Sequence, residues 1–180
     1  MLLRASIFVF LVLILGGYVC RKFFEPSANT PESSTEIFFR DINIVGMDGK
    51  PVTLRAEFGQ VIFSNFWGTW CDSCERETDL ILGLYRDYVP LGVKFVSVAI
   101  DSIGDVVVFN KKKMITYPVY VSDISAIRFL LKYGDMSGVL PFTLVIHSRF
   151  RQAFVGELKD KVIRKFIDNE LCLVRADVGS

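Results

Sequence analysis

One ten-residue run constrains this chain more than any other: Asn65-Phe66-Trp67-Gly68-Thr69-Trp70-Cys71-Asp72-Ser73-Cys74. It closes an apolar stretch, Val61–Phe66, of the length and composition of a buried β-strand. After Gly68 the pattern changes. From Asp72 to Val89 apolar side chains recur at helical spacing (Leu80, Leu82, Leu84, Tyr85, Tyr88), so a helix begins at the first cysteine. Cys71 then meets backbone N–H groups with no intrahelical partner and the positive end of the helix dipole. Both favour thiolate over thiol, which makes Cys71 the attacking sulfur. Cys74 lies one helical turn on, within reach to resolve a mixed disulfide. Trp70 would shield one side of the pair.

A C-x-x-C is also half of a structural zinc site, which needs two further ligands. The other two cysteines, Cys20 and Cys172, are each isolated, and His147 is the only histidine. The strand–C-x-x-C–helix setting therefore points to thiol redox chemistry. Delivery of copper by the same pair is the alternative, and it would want a histidine placed after a strand. Cys20 and Cys172 read as small apolar packing residues.

The rest of the chain reads as one α/β domain behind an anchor and a tether. In a chain of 180 residues, about half of them apolar, four cysteines are not needed as staples. Ala5–Cys20 is apolar or small except for Ser6 and Tyr18. At about 16 residues it is slightly short for a span, but flanking Arg4, Arg21 and Lys22 can snorkel. No small-x-small cleavage pattern follows, so residues 1–24 are expected to be an uncleaved transmembrane signal anchor. Residues 25–35 (Glu25 to Thr35) carry two prolines and small polar groups, a flexible linker. The net charge is +1, and past Lys22 there are 18 basic against 20 acidic side chains, so no nucleic-acid partner is expected.

Within residues 36–180 the pattern predicts a hairpin, Ile37–Val45 and Pro51–Leu54, around Asp48-Gly49. Strands follow at Val61–Phe66, Val93–Ile100, Val119–Val121, Phe142–His147 and Gln152–Leu158. Helices are expected over Asp72–Val89, Asp105–Met114, Ile124–Tyr133 and Asp160–Val174. That order fits a mixed sheet with helices on both faces.

The run N-F-W-G-T-W-C-x-x-C, the upstream hairpin with Asp48-Gly49-Lys50, and Gly138-Val139-Leu140-Pro141-Phe142-Thr143 together resemble the TlpA/ResA-like branch of the thioredoxin superfamily. The resemblance spans Ile37 to Leu171. It implies a thioredoxin fold with an N-terminal β-hairpin extension, preceded by a single transmembrane anchor helix. It further implies a protein disulfide reductase with a redox-active Cys71–Cys74 pair and no other cofactor, at the cytoplasmic membrane with its C-terminal domain facing the periplasm or outside. Implied clients are apocytochrome c or copper-site proteins of a respiratory oxidase, with a membrane thiol transporter as electron donor. Pro141 matches the family's cis-proline, which would leave the Leu140 backbone free to pair with an extended client beside Trp70. On its own, Pro141 would read as a turn proline at a strand start.

Glu77 matches a buried glutamate near the second cysteine, able to exchange a proton with Cys74. Without the resemblance it would read as a solvated helix charge beside Arg76. Thioredoxins proper place an aspartate where this chain has Asn65, which makes Glu77 the buried acid. The intervening Asp72-Ser73 lacks proline and adds a like charge near both sulfurs, which suits a reducing protein.

Overall fold

The structure is a computed structural model that describes residues 42–54, 60–133, 138–147 and 150–178, with side chains to Val174. The expected anchor (1–24) and linker (25–35) lie outside these residues, and no described helix is long and apolar enough to cross a membrane. The chain divides into two compact units, one comprising Glu32–Val162 and the other including Ile163 onward. The first holds the sheet and the cysteine pair.

Among the described residues the strands are β1 (Ile44–Val45), β2 (Ile62–Trp67), β3 (Lys94–Ile100), β4 (Val119–Ser122), β5 (Phe142–His147) and β6 (Phe150–Val155). The helices are α1 (Asp72–Tyr88), α2 (Ile103–Lys113), α3 (Ser125–Lys132) and α4 (Asp160–Val178). One six-stranded sheet has the order β1-β4-β3-β2-β5-β6. Strands β2, β3 and β4 run parallel, and β1, β5 and β6 pair antiparallel with their neighbours.

The two parallel steps β2-α1-β3 and β3-α2-β4 move the same way across the sheet. Right-handed crossovers therefore put α1 and α2 on one face. Aromatic contacts bear this out. Phe63 stacks on its register partner Phe95, which meets Tyr85 of α1, and Trp67 packs on Phe109 of α2. Phe66, of opposite parity in β2, meets Phe129 of α3 and Phe142 on the other face. Covered on both sides, β2 and β5 bury all six residues each, which is why they read as continuous apolar runs rather than alternating ones.

Strand and helix boundaries shift locally from the sequence expectation. α2 starts at Ile103 because the Ser102 hydroxyl caps it, accepting from the Asp105 N–H at 3.1 Å. β6 stops at Val155, since Gly156 turns the chain with φ +80. Of the expected hairpin, the turn forms: Gly46 donates to the Lys50 carbonyl at 2.8 Å, and Gly49 takes φ +76. Its return arm reaches only a single bridge, Val45 to Pro51. Past that bridge Val52 N donates to the Ile44 carbonyl at 2.9 Å, while the other edge of β1 pairs with β4.

Candidate active site

Cys71 is the N-cap of α1, with extended backbone (φ −100, ψ 105) and its sulfur accepting from the Cys74 N–H at 3.2 Å. Its carbonyl accepts from Glu75 N at 3.0 Å, the first bond of the helix. Cys71 and Cys74 are joined in a disulfide with Cα atoms 5.2 Å apart. Cys71 is 8% exposed and Cys74 3%, so an incoming thiol or disulfide meets Cys71 first. The N–H that caps this sulfur in the disulfide is poised to stabilise its thiolate in the reduced form.

The loop before Cys71 is pinned from β3. Trp67 and Ala99 are register partners, so the ends of β2 and β3 lie side by side. Asp101, just past β3, accepts from Thr69 N at 2.9 Å and from Thr69 Oγ1 at 2.5 Å through the same oxygen. Its other oxygen accepts from Ser102 N at 2.8 Å. Trp70, 66% exposed, lays its indole over Gly68, where a Cβ would meet the ring at 2.7 Å. The Leu140–Pro141 bond is cis, and Ser73 Oγ, 3.4 Å from the Cys71 sulfur, donates to the Leu140 carbonyl at 3.5 Å. Through Ser73 the Leu140 carbonyl thus comes beside the disulfide from a segment distant in sequence, while Trp70 directly precedes Cys71.

Glu77, 2% exposed, is fully inside rather than a solvated charge. Its Oε1 accepts from Asn65 Nδ2 and its Oε2 from the Leu158 N–H, both at 2.9 Å. The Asn65 amide also donates to Thr143 Oγ1 of β5 at 3.1 Å. Burial pushes the Glu77 carboxyl up to about 7, against the pull of these two donors and with a further push from the Glu157 charge. Tyr117, buried just before β4, has its hydroxyl pushed up by burial and then by the Glu77 charge. No hydrogen bond runs directly from Glu77 to Cys74 in this disulfide form, although the two share a helix one turn apart.

His147 does not join the pair. The β2–β5 register sets Phe142 against Phe66 and Ile146 against Ile62, so His147 lies at the far end of the sheet. Five residues of strand, roughly 17 Å, separate it from the dithiol end. It stacks on Phe150 instead. Among the described residues no three His, Cys, Asp or Glu side chains are placed to hold a metal ion. Cys172, expected as a packing residue, is disulfide-bonded.

Asp101, Leu158 and Tyr117 carry no motif. Their roles come from strand register and chain reversal, which join residues about 30 to 80 positions apart in sequence.

A buried strand ending in a helix-capping cysteine, a second cysteine one turn later and a cis-proline across from both define a thioredoxin-fold dithiol protein. The sequence matches the Redoxin family over residues 27–170. It is 31% identical over 163 residues to the thiol-disulfide oxidoreductase ResA of Bacillus thuringiensis subsp. konkukian, covering 88% of this chain and 92% of that one. With ResA of Geobacillus thermodenitrificans the identity is 26%, covering 94% and 95%. A thioredoxin-related protein from Neisseria meningitidis serogroup B superposes with a TM-score of 0.62 at 27% identity, covering 74% of this chain and 98% of that structure. The chain belongs to the Redoxin family as a ResA-like thiol–disulfide oxidoreductase.

Proposed function

We propose that this protein reduces disulfides of client proteins outside the cytoplasmic membrane, held there by its N-terminal segment. The clients are apocytochrome c or a copper-site protein of a respiratory oxidase, and the electrons come from a membrane thiol transporter. The observation that carries the reductase reading is Cys71 at the cap of α1, the less buried residue of the pair.

In the reduced protein the Cys71 thiolate attacks one sulfur of the client disulfide. A Cys71–client bond forms, the client S–S bond breaks, and the leaving sulfur takes the electron pair and a proton. Cys74 then gives its proton to ionised Glu77 and attacks the Cys71 sulfur. The Cys71–Cys74 bond forms, the Cys71–client bond breaks, and the second client sulfur leaves with the electron pair and is protonated from Glu77 or water. The client gains two electrons and two protons, and the protein is left as its disulfide. Near neutral pH Glu77 divides between its two forms, as a group that takes and returns a proton must. Trp70 and the Leu140 backbone would hold the client segment alongside, as one extended chain against another.

Replacing the resolving sulfur tests this reading. Cys74→Ala should accumulate a mixed disulfide through Cys71, and the trapped chain should be a cytochrome c or copper-site polypeptide. Cys71→Ser should trap nothing and abolish turnover. Capture through Cys74 in the Cys71→Ser protein would reverse the roles, and a trapped partner outside those client classes would overturn their assignment.

A further inference from the structure

Three consecutive residues between β6 and α4 each hold a different part of the active site. The Gly156 N–H donates to the carbonyl of Pro141 at 2.8 Å. The Glu157 carboxylate receives the Arg76 guanidinium from the first turns of α1, Nε at 3.2 Å and Nη2 at 3.0 Å on the same oxygen. The Leu158 N–H donates to Glu77 Oε2 at 2.9 Å. Gly156 takes φ +80 in open space, so backbone conformation and not crowding calls for glycine there.

We propose that Gly156–Leu158 is a strap that positions the resolving step: the Arg76–Glu157 ion pair holds the Leu158 N–H on Glu77 and thereby sets how readily Glu77 takes the Cys74 proton. The inference rests on the reading of Glu77 as the group that exchanges a proton with Cys74. Arg76 and Glu157 are positioning residues, since neither touches the sulfurs or the client.

The ion pair is exposed, 60% at Arg76 and 36% at Glu157, and contributes little to stability. Its value is geometric. Arg76 directly precedes Glu77 in α1, and Glu157 directly precedes Leu158 in the strap, so the bridge fixes the spacing of the very next pair. Lose it, and one of the two donors that favour ionised Glu77 is free to swing away. The other groups facing Glu77 are the Asn65 amide from β2, buttressed by Thr143 of β5, the Tyr117 hydroxyl ahead of β4, and Cys74 on α1. None of these depends on the strap.

Two substitutions separate positioning from simple charge. Arg76→Gln unseats the strap and leaves Glu157 uncompensated, and both effects raise the Glu77 titration midpoint. Glu157→Gln also unseats the strap but removes a negative charge. A field effect alone would lower the midpoint, whereas loss of the Leu158 donor raises it. The carboxyl of Glu77 is followed by carbon NMR in the oxidised protein, and the resolving rate by release of client thiol from a preformed mixed disulfide across pH. We expect both variants to shift the midpoint upward, by about half a unit or more, and the pH profile of resolution to move with it. Arg76→Lys, which keeps charge without the fork, should recover part of the shift.

A downward shift in Glu157→Gln, or no shift in either variant, overturns the strap. Glu77→Gln separates this failure from that of the underlying reading. If it slows resolution while the strap variants leave the midpoint unmoved, only the strap is wrong. If it leaves resolution unchanged, Glu77 is not the proton acceptor and both fall.

Discussion

Glu77 holds a charge-bearing group where the fold would otherwise place an apolar one, and that has a cost that depends on pH. Free in the unfolded chain, its carboxyl titrates near 4.5; folded, near 7. Below the lower value it is neutral in both states and folding is unpenalised. Between the two the unfolded chain ionises and the folded one does not, so stability falls as pH rises, and above the folded value the loss is complete. The loss is at most about 3 kcal/mol. Glu77→Gln should therefore flatten the decline in urea midpoint between pH 5 and pH 8. The difference between the two proteins isolates this group, because Glu170, which burial also raises to about 7, is common to both. Parallel midpoint–pH curves would mean that Glu77 is not desolvated. On the proposed mechanism, this cost is offset by the proton that Glu77 takes from Cys74.

At the scale of elements, the active-site loop is held by pins at both ends and left open at its tip. Asp101 fixes Thr69, the Cys71 sulfur caps α1, and between them Trp70 stands out from the surface with its ring folded on Gly68. An alanine at position 68 would collide with the indole, but an exposed ring can swing away. Gly68→Ala is expected to leave stability within about 1 kcal/mol while raising KM for a client peptide disulfide about fivefold, an equivalent of about 1 kcal/mol of lost contact. Thermal unfolding and steady-state kinetics on a peptide substrate check the two halves. In the sheet the reverse holds, because Phe66 is wholly buried between Phe129 and Phe142 and has nowhere to relax. Phe66→Ala should cost about 3–5 kcal/mol in denaturant unfolding, and a cost under 1 kcal/mol would show that this face of the sheet is not packed as described.

For the whole molecule, the proposed place outside the membrane is a matter of topology. Alkaline phosphatase fused after Ser180 should be active in cells, since that reporter needs an oxidising compartment to form its disulfides. Activity only from a cytoplasmic reporter would put the domain on the other side. What the amino-acid order determined alone was the material carried by local periodicity and helix-end chemistry. That covers the strand–cysteine–helix run, the extent of β5, and the long helix α1. These depend on neighbours within about one or two turns, and such neighbours are written in sequence. The resemblance supplied Glu77 and Pro141, whose partners are distant. Only the tertiary structure decided what depends on register and chain reversal. It put Asp101 on Thr69, set Asn65 and Leu158 on the two oxygens of Glu77, carried His147 to the far end of the sheet, and held the hairpin's return arm to a single bridge at Pro51. A hydrogen bond across some eighty residues leaves no periodic trace, because its two ends are brought together by the packing of everything between them.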